Sequence, residues 1–263
     1  MARVREIIRA DRRLIIREVA EDVGIAFGTC QKILTKELQM RRVSAKFVPR
    51  LLTADQKDDR VSICTDLRER AQNDLNFTSS IITGVESWVC GYDPETKQMS
   101  SEWKTASSPR PKKARQVKSN AKTMLIEFID IDVLVHHEYV PTGQTLNKEF
   151  YETVLQHRRD SVRRHRPENW RSGAWILHHY NAPAHRAVTT NKFLAKHNIP
   201  SLPNPPYSPD LPPSDFFLLP QLKKTMKGRR FDDIEEVQAN ATRQMRAITK
   251  SDYQRCFRQW QER

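Results

Sequence analysis

Cysteine is scarce, and its four positions (Cys30, Cys64, Cys90, Cys256) lie far apart with no C-x-x-C pair. That spacing argues against a zinc site built on cysteines and against a disulfide framework. Reduced, structural thiols are the expected reading. Long apolar runs are also missing. None could span a bilayer, and the N-terminus carries no signal-type apolar region. A soluble, intracellular chain is therefore expected. Acidic residues are outnumbered: 45 Lys and Arg face 32 Asp and Glu, a formal net charge of +13. Between residues 104 and 122 there is no acid at all. An excess of this sign excludes little, but it favours a polyanionic partner, because neutralised phosphates release condensed counterions.

What is present suffices for one sizeable domain and a small one. The 263 residues are 38% hydrophobic, with mean hydropathy −0.72, so a packed core coexists with much polar surface. The chain reads as a helix-turn-helix segment over residues 1–45, a linker over 46–78 and a larger α/β domain over 79–263. In the first segment Val4, Ile7 and Ile8 have helical spacing. A helix through Leu14–Val23 ends at Gly24, which suits a left-handed terminus. A second helix is expected over Phe27–Leu38, with Ile33, Leu34 and Leu38 as its apolar face. Helix, glycine turn and helix followed by the basic pair Arg41-Arg42 is a DNA-binding pattern. An ordinary helical hairpin has the same pattern. Capping residues are missing where they are expected: Ile15 or Ile16 precedes the first helix of the motif and Ala26 the second, each at a cost of about 1 kcal/mol. Thr29, Gln31 and Lys32 are candidates for groove contacts, and Arg41 and Arg42 for the phosphate backbone.

After Pro49, residues 54–72 are polar and read as helical. Strands are expected at Ile81–Cys90, Gln98–Trp103, Met124–Ile129 and Val133–Val140, with a turn at Asp93–Thr96. The basic stretch Lys104, Arg110, Lys112, Lys113, Arg115, Lys118 and Lys122 reads either as a phosphate-binding loop or as a solvated one. A helix follows from Asn147 to about Arg166. Its arginines at 158, 159, 163, 164 and 166 cannot share one face, so some are expected to be plain surface charge. A short strand Ala174–His179, a helix Pro183–His197, a strand Ile199–Leu202 and a loop of six prolines over 203–213 come next. Helices close the chain at Ser214–Lys227, Ile234–Ile248 and Asp252–Arg263. The order implies a mixed sheet with flanking helices.

Several motifs are long and unusual: His178-His179-Tyr180-Asn181-Ala182-Pro183-Ala184-His185, Pro206-Tyr207-Ser208-Pro209-Asp210-Leu211-Pro212-Pro213-Ser214-Asp215-Phe216, Thr83-Gly84-Val85-Glu86-Ser87-Trp88, Phe47-Val48-Pro49-Arg50-Leu51 and Gly228-Arg229-Arg230-Phe231-Asp232. Together they resemble the mariner transposases of the Tc1/mariner superfamily. The resemblance implies an RNase H-like fold, cut-and-paste DNA chemistry with magnesium, a dimer assembled on terminal inverted repeats, and a nuclear location. It matches only the second of the family's two helix-turn-helix motifs, and the C-terminus falls somewhat short of the family's.

The family's three aspartate positions fall on Val85, Tyr180 and Asp215. The last two are separated by 34 residues, which matches the mariner spacing. Paired magnesium ions need hard oxygen ligands, and Val85 offers none. A neutral phenol at Tyr180 does not replace a carboxylate. Glu86 is adjacent to Val85, but alternate strand residues face opposite sides. His178 and His179 are poor magnesium ligands. Asp210 is directed elsewhere by the proline loop, and Asp130 and Asp132 read as turn residues. Asp215, left alone, is expected to cap its helix. The reading is a catalytically inactive, transposase-derived DNA-binding protein that needs no cofactor. An active transposase and a non-functional translated pseudogene are the alternatives.

Overall fold

The computed structural model describes residues 1–263 except 45–47, 106, 115 and 174. The chain divides into two compact units, Met1–Pro49 and Arg50–Arg263. No helix among the described residues is long and apolar enough to cross a membrane.

The first unit holds α1 (Ala2–Ala10), α2 (Ile16–Val23) and α3 (Phe27–Lys32), the last continuing as a π-helical turn at Ile33–Glu37. Val4, Ile8, Val19, Ala20, Cys30 and Leu34 close a small core at helical spacing. Gly24 ends α2 at φ 74°, and its N–H donates to the Ala20 carbonyl at 2.9 Å. Neither Ile15 nor Ala26 supplies a side-chain cap. At α2 the deficit is partly made good from inside the helix, where Glu18 accepts from the Ile15 N–H at 2.7 Å.

The second unit opens with α4 (Ala54–Asn73), started by a reciprocal Thr53–Gln56 capping box, and the short α5 (Phe77–Ser80). Five strands follow: β1 (Ile81–Cys90), β2 (Lys122–Ile129), β3 (Leu134–Val140), β4 (Ile176–His178) and β5 (Ser201–Leu202). Their order is β3-β2-β1-β4-β5. β1 runs antiparallel to β2 and parallel to β4, so the sheet is mixed, as the resemblance implies. Between strands lie α6 (Lys148–His165), α7 (Pro167–Ser172) and α8 (Val188–Lys196). A π-helical turn at Ser214–Leu218 leads into α9 (Leu219–Met226), α10 (Ile234–Arg246) and α11 (Lys250–Glu262).

Both faces of the sheet are covered, which is why β1 reads as a nearly continuous buried run. On one face Ile82, Ile126 and Phe128 pack on Tyr151, Val154, Leu155 and Val162 of α6 and on Phe193 and Leu194 of α8. On the other, Ile81 and Ile129 meet Phe217, Tyr253 and Phe257, while Val89 and Leu125 meet Leu222, Met226 and Val237. Gly84 lies directly across from Phe128. A Cβ there would stand 2.4 Å from the Phe128 ring. Glycine at that position lets the ring lie over the strand.

Three sequence expectations are corrected. Residues 98–103 form no strand: Gln98, Met99 and Trp103 are exposed, so no apolar face rewards pairing, and β1 takes β2 as its antiparallel neighbour. The turn expected at Asp93–Thr96 closes later, with the Ser100 N–H donating to Thr96. The helix expected from Pro183 starts at Val188, after a turn in which His185 N–H donates to Ala182. Of the α6 arginines, Arg163 and Arg164 are exposed surface charge, in line with the expectation for some of them, and Arg158 is the exception. It is wholly buried, between the rings of Phe128 (5.2 Å) and Trp175 (4.8 Å).

Candidate active site and nucleic-acid interface

The uninterrupted β1–β2 register fixes where the motif residues of β1 point. Val85 is paired with Glu127 and is 3% exposed. With Thr83 and Ser87 it faces α9–α11. Glu86 faces the other way, where its Oε1 stands 3.0 Å from His185 Nε2. No bulge interrupts the pairing from Thr83 to Cys90, so Glu86 cannot stand in for the missing carboxylate at Val85.

Tyr180 follows β4. Its carbonyl oxygen lies 2.9 Å from His185 Nδ1, and its hydroxyl is buried without a hydrogen-bond partner. The preceding histidines serve packing. His178 Nδ1 sits 3.0 Å from Thr83 Oγ1, and burial holds its pKa down at about 4. His179 Nδ1 is 2.8 Å from the Tyr151 hydroxyl. Burial, followed by the neighbouring His185, pushes its pKa down to about 2. His185 stacks on Tyr151, with centroids 4.0 Å apart.

Asp215 sits in the first turn of the Ser214–Leu218 segment, which the Ser214 hydroxyl ties to Thr83 Oγ1 at 3.5 Å. The capping role expected for Asp215 is not seen: the segment has no side-chain cap, and Asp215 Oδ2 is buried without a partner. Burial raises its pKa to about 7, with Glu86 adding to the rise and Lys223 of α9 opposing it. Asp210 is engaged elsewhere, in a two-pronged bond with Arg60 at 2.9 Å on each arm. Asp130 accepts from the Asp132 and Val133 N–H groups and pairs with Arg166.

Sequence reasoning missed one acid on this face. Glu127, directly opposite Val85, is 1% exposed, and neither of its carboxyl oxygens has a partner. Burial pushes its pKa up to about 8; Lys223 pulls it down, and Asp215 and Glu86 push it further up. The one sequence signal was an acid inside the apolar run Met124–Ile129.

A divalent ion of the kind this fold implies does not fit these residues. Val85 is apolar, Tyr180 offers a neutral hydroxyl, and Lys223 supplies a competing positive charge beside Asp215 and Glu127. Among the described residues no three His, Cys, Asp or Glu side chains stand as a ready metal-ligand set. A cleft of about 630 Å³ in this unit is lined by residues including Arg60, Cys64, Arg68, His178, Trp260 and Arg263, and not by Val85, Tyr180 or Asp215.

The candidate DNA contacts lie on two separate elements. In the first unit Thr29, Gln31 and Lys32 are exposed on α3 and Arg41 and Arg42 follow it, with Arg42 donating to the Arg13 carbonyl at 3.2 Å. In the second unit Arg110, Lys112 and Lys113 are exposed on the long excursion between β1 and β2. Lys113 is held by Glu95 at 2.6 Å. Arg115 lies outside the described residues.

Residues 93–172 match the family model described as transposase, partial DDE domain. Over 84% of its length the chain is 29% identical to the mariner Mos1 transposase of Drosophila mauritiana. The chain is similar to the mariner transposases over most of its length. It is also 27% identical, over 89% of its length, to the human histone-lysine N-methyltransferase SETMAR. The chain spans 63% of the Mos1 protein and 34% of SETMAR. Solved structures agree: the Mos1 mariner paired end complex with Mn superposes with a TM-score of 0.83 at 26% identity, over 99% of this chain and 75% of that one. The paired end complex with Mg gives 0.82 at 26% identity, over 98% and 74%. These likenesses support the RNase H-like sheet and the helical N-terminal unit of this chain.

Proposed function

We propose that this chain is a mariner-derived DNA-binding protein that has lost the metal-dependent cutting chemistry of its relatives. The observation that carries the proposal is Val85: a buried methyl-bearing side chain at the centre of β1, where the family resemblance places the first metal-binding aspartate. Tyr180 repeats the loss at the second position. Two-metal cleavage needs charged oxygen ligands that hold both ions about 4 Å apart, and Asp215 alone cannot supply them. Mos1 has been crystallised as a paired end complex with Mn and with Mg. For this chain the supported part of that behaviour is the binding of DNA, with terminal repeats as the candidate target, a second copy as the candidate partner and the nucleus as the place of action.

DNA binding would rest on Thr29, Gln31 and Lys32 toward the groove, Arg41 and Arg42 on phosphates, and Arg110, Lys112 and Lys113 as a second basic surface. One helix-turn-helix gives weak, salt-sensitive binding. A mobility-shift titration with mariner terminal-repeat and random duplexes tests the binding claim; equal affinity for both would refute sequence preference. Incubating the same DNA with Mg or Mn tests the other half, since nicking at transposon ends would refute the loss of chemistry.

A second reading, a folded relic with no retained role, is favoured by two ionisable side chains in the core without hydrogen-bond partners, Glu127 and Arg158. Absence of any DNA binding by well-folded protein would favour it.

A further inference from the structure

The first unit carries a basic cleft of about 350 Å³ that the DNA contacts named above leave unused. One wall is α1, with Arg5, Ile8 and Arg9, followed by Arg12 in the turn beyond it; the other is the stretch Glu37–Met40, where the helix bearing Thr29, Gln31 and Lys32 ends. Both walls are fixed by local bonds. At the helix end Gln39 takes a left-handed backbone at φ 49°, and the Met40 N–H donates to the Leu34 carbonyl at 2.8 Å. On the α1 side Asp11 accepts from the Arg13 backbone N–H at 2.9 Å and from its Nε and Nη2 at 3.0 Å each. The Arg13 carbonyl accepts in turn from Arg42. Asp11 is therefore taken by Arg13 and does not neutralise Arg12. Arg5, Arg9 and Arg12 are exposed, and among the described residues none of them has an ion-pair partner. Glu37 is the single acid among the described lining residues.

We propose that this cleft seats one sugar-phosphate strand of a DNA duplex, with Arg5, Arg9 and Arg12 as phosphate contacts. The proposal rests on the DNA-binding reading above and deepens it, because it assigns α1 a ligand of its own. Arg5 and Arg9 stand one helical turn apart, a rise of about 6 Å, close to the step between neighbouring phosphates of one strand. The three cations are strung along the wall and its following turn, so they fit a chain of phosphates better than a single small anion. Guanidinium groups grip phosphate oxygens with two parallel N–H donors. Arg41 follows Met40 in the chain and Arg42 is bonded to Arg13, so the two arginines already assigned to the backbone adjoin the cleft. Contacts of this kind fix how the neighbouring helix lies on the duplex and carry no sequence information themselves.

The test is a titration of the full chain, with Arg5, Arg9 and Arg12 replaced together by alanine, against terminal-repeat and random duplexes over a range of salt, read by fluorescence anisotropy. Loss of these phosphate contacts should flatten the plot of log affinity against log salt by about 3 on both duplexes, about 1 for each contact. The ratio of the two affinities should stay as in the wild type. The single variant Arg9→Gln, expected to flatten the plot by about 1, reports independently. All these positions are exposed, so the variants keep the fold, with the melting curve as the check. A charge-matched control takes Arg68, Arg171 and Arg258, exposed arginines of the second unit, to alanine and should leave the slope unchanged. A wild-type slope in the triple variant, or an equal fall in the control, would overturn the assignment. A changed ratio between the duplexes would do the same, since it would make these base contacts. A wild-type chain that binds neither duplex would remove the DNA-binding reading itself, and this assignment with it.

Discussion

Glu127 should make the second unit less stable as the solution becomes more alkaline, and Glu127→Gln should remove that dependence. The carboxyl is enclosed beside Val85 with no hydrogen-bond partner, and its pKa rises from 4.5 to about 8. The sign follows from the protons bound. Between these two values the folded chain keeps a proton that the unfolded chain releases, so stability is fully present below about pH 4.5 and is lost as pH rises through 8. At about 1.4 kcal/mol per pH unit, the interval from about pH 5 to about pH 8 costs about 4 kcal/mol. That is a large share of a typical stability of about 5–15 kcal/mol. Urea unfolding near pH 5 and near pH 8 measures it. His178 and His179, whose lowered pKa values work in the opposite direction, and Asp215, whose raised pKa works in the same direction, are common to both proteins, so the difference between wild type and Glu127→Gln reports the Glu127 carboxyl together with its coupling to Asp215. The variant should gain on the wild type by several kcal/mol at the alkaline end. Parallel pH profiles would refute the reasoning, because they would mean that Glu127 reaches solvent or a cation.

Three further outcomes are expected. Arg158→Leu should raise stability by about 1–4 kcal/mol, because it replaces an unpaired buried cation with an apolar side chain; a lower melting temperature would show that the stacking of Arg158 on Phe128 and Trp175 outweighs its burial. Gly84→Ala should cost about 1–3 kcal/mol by driving a methyl into the Phe128 ring, read as a loss of melting temperature. Replacing Arg41 and Arg42 together with alanine should weaken binding to all duplexes alike and flatten the plot of log affinity against log salt by about 2, as measured by fluorescence anisotropy.

Much of the fold could be read from local signals that tertiary packing did not override. Asn147 caps α6 as its position suggests, accepting from Phe150 N–H, and Gly24 ends α2 in the left-handed conformation. The positions of Val85, Tyr180 and Asp215 follow from long motifs, so their places on β1, after β4 and at the helix start were legible too. The misses share a cause. Glu127 and Arg158 are charges where hydropathy predicts surface, and only their register betrays them. Arg158 falls three or four residues from Val154, Leu155 and Val162, all buried on α6, and that stripe was the available signal. Asp215 was expected to cap because it is acidic and near a helix start; the backbone instead enters a π-helical turn, and the carboxyl is left facing the covered side of the sheet.

Gly84 is retained although the aspartate position beside it is not, and the structure shows it holding a place for the Phe128 ring. The same division runs through the other signatures. His178 braces Thr83, His185 bridges Glu86 and Tyr151, Asn181 donates to the Asn204 carbonyl, and Ser214 reaches Thr83. Each of these residues is masonry. In this chain the signature residues are thus mostly a record of how the sheet is assembled. Recognition by motif therefore certifies the building and says little about its tenant.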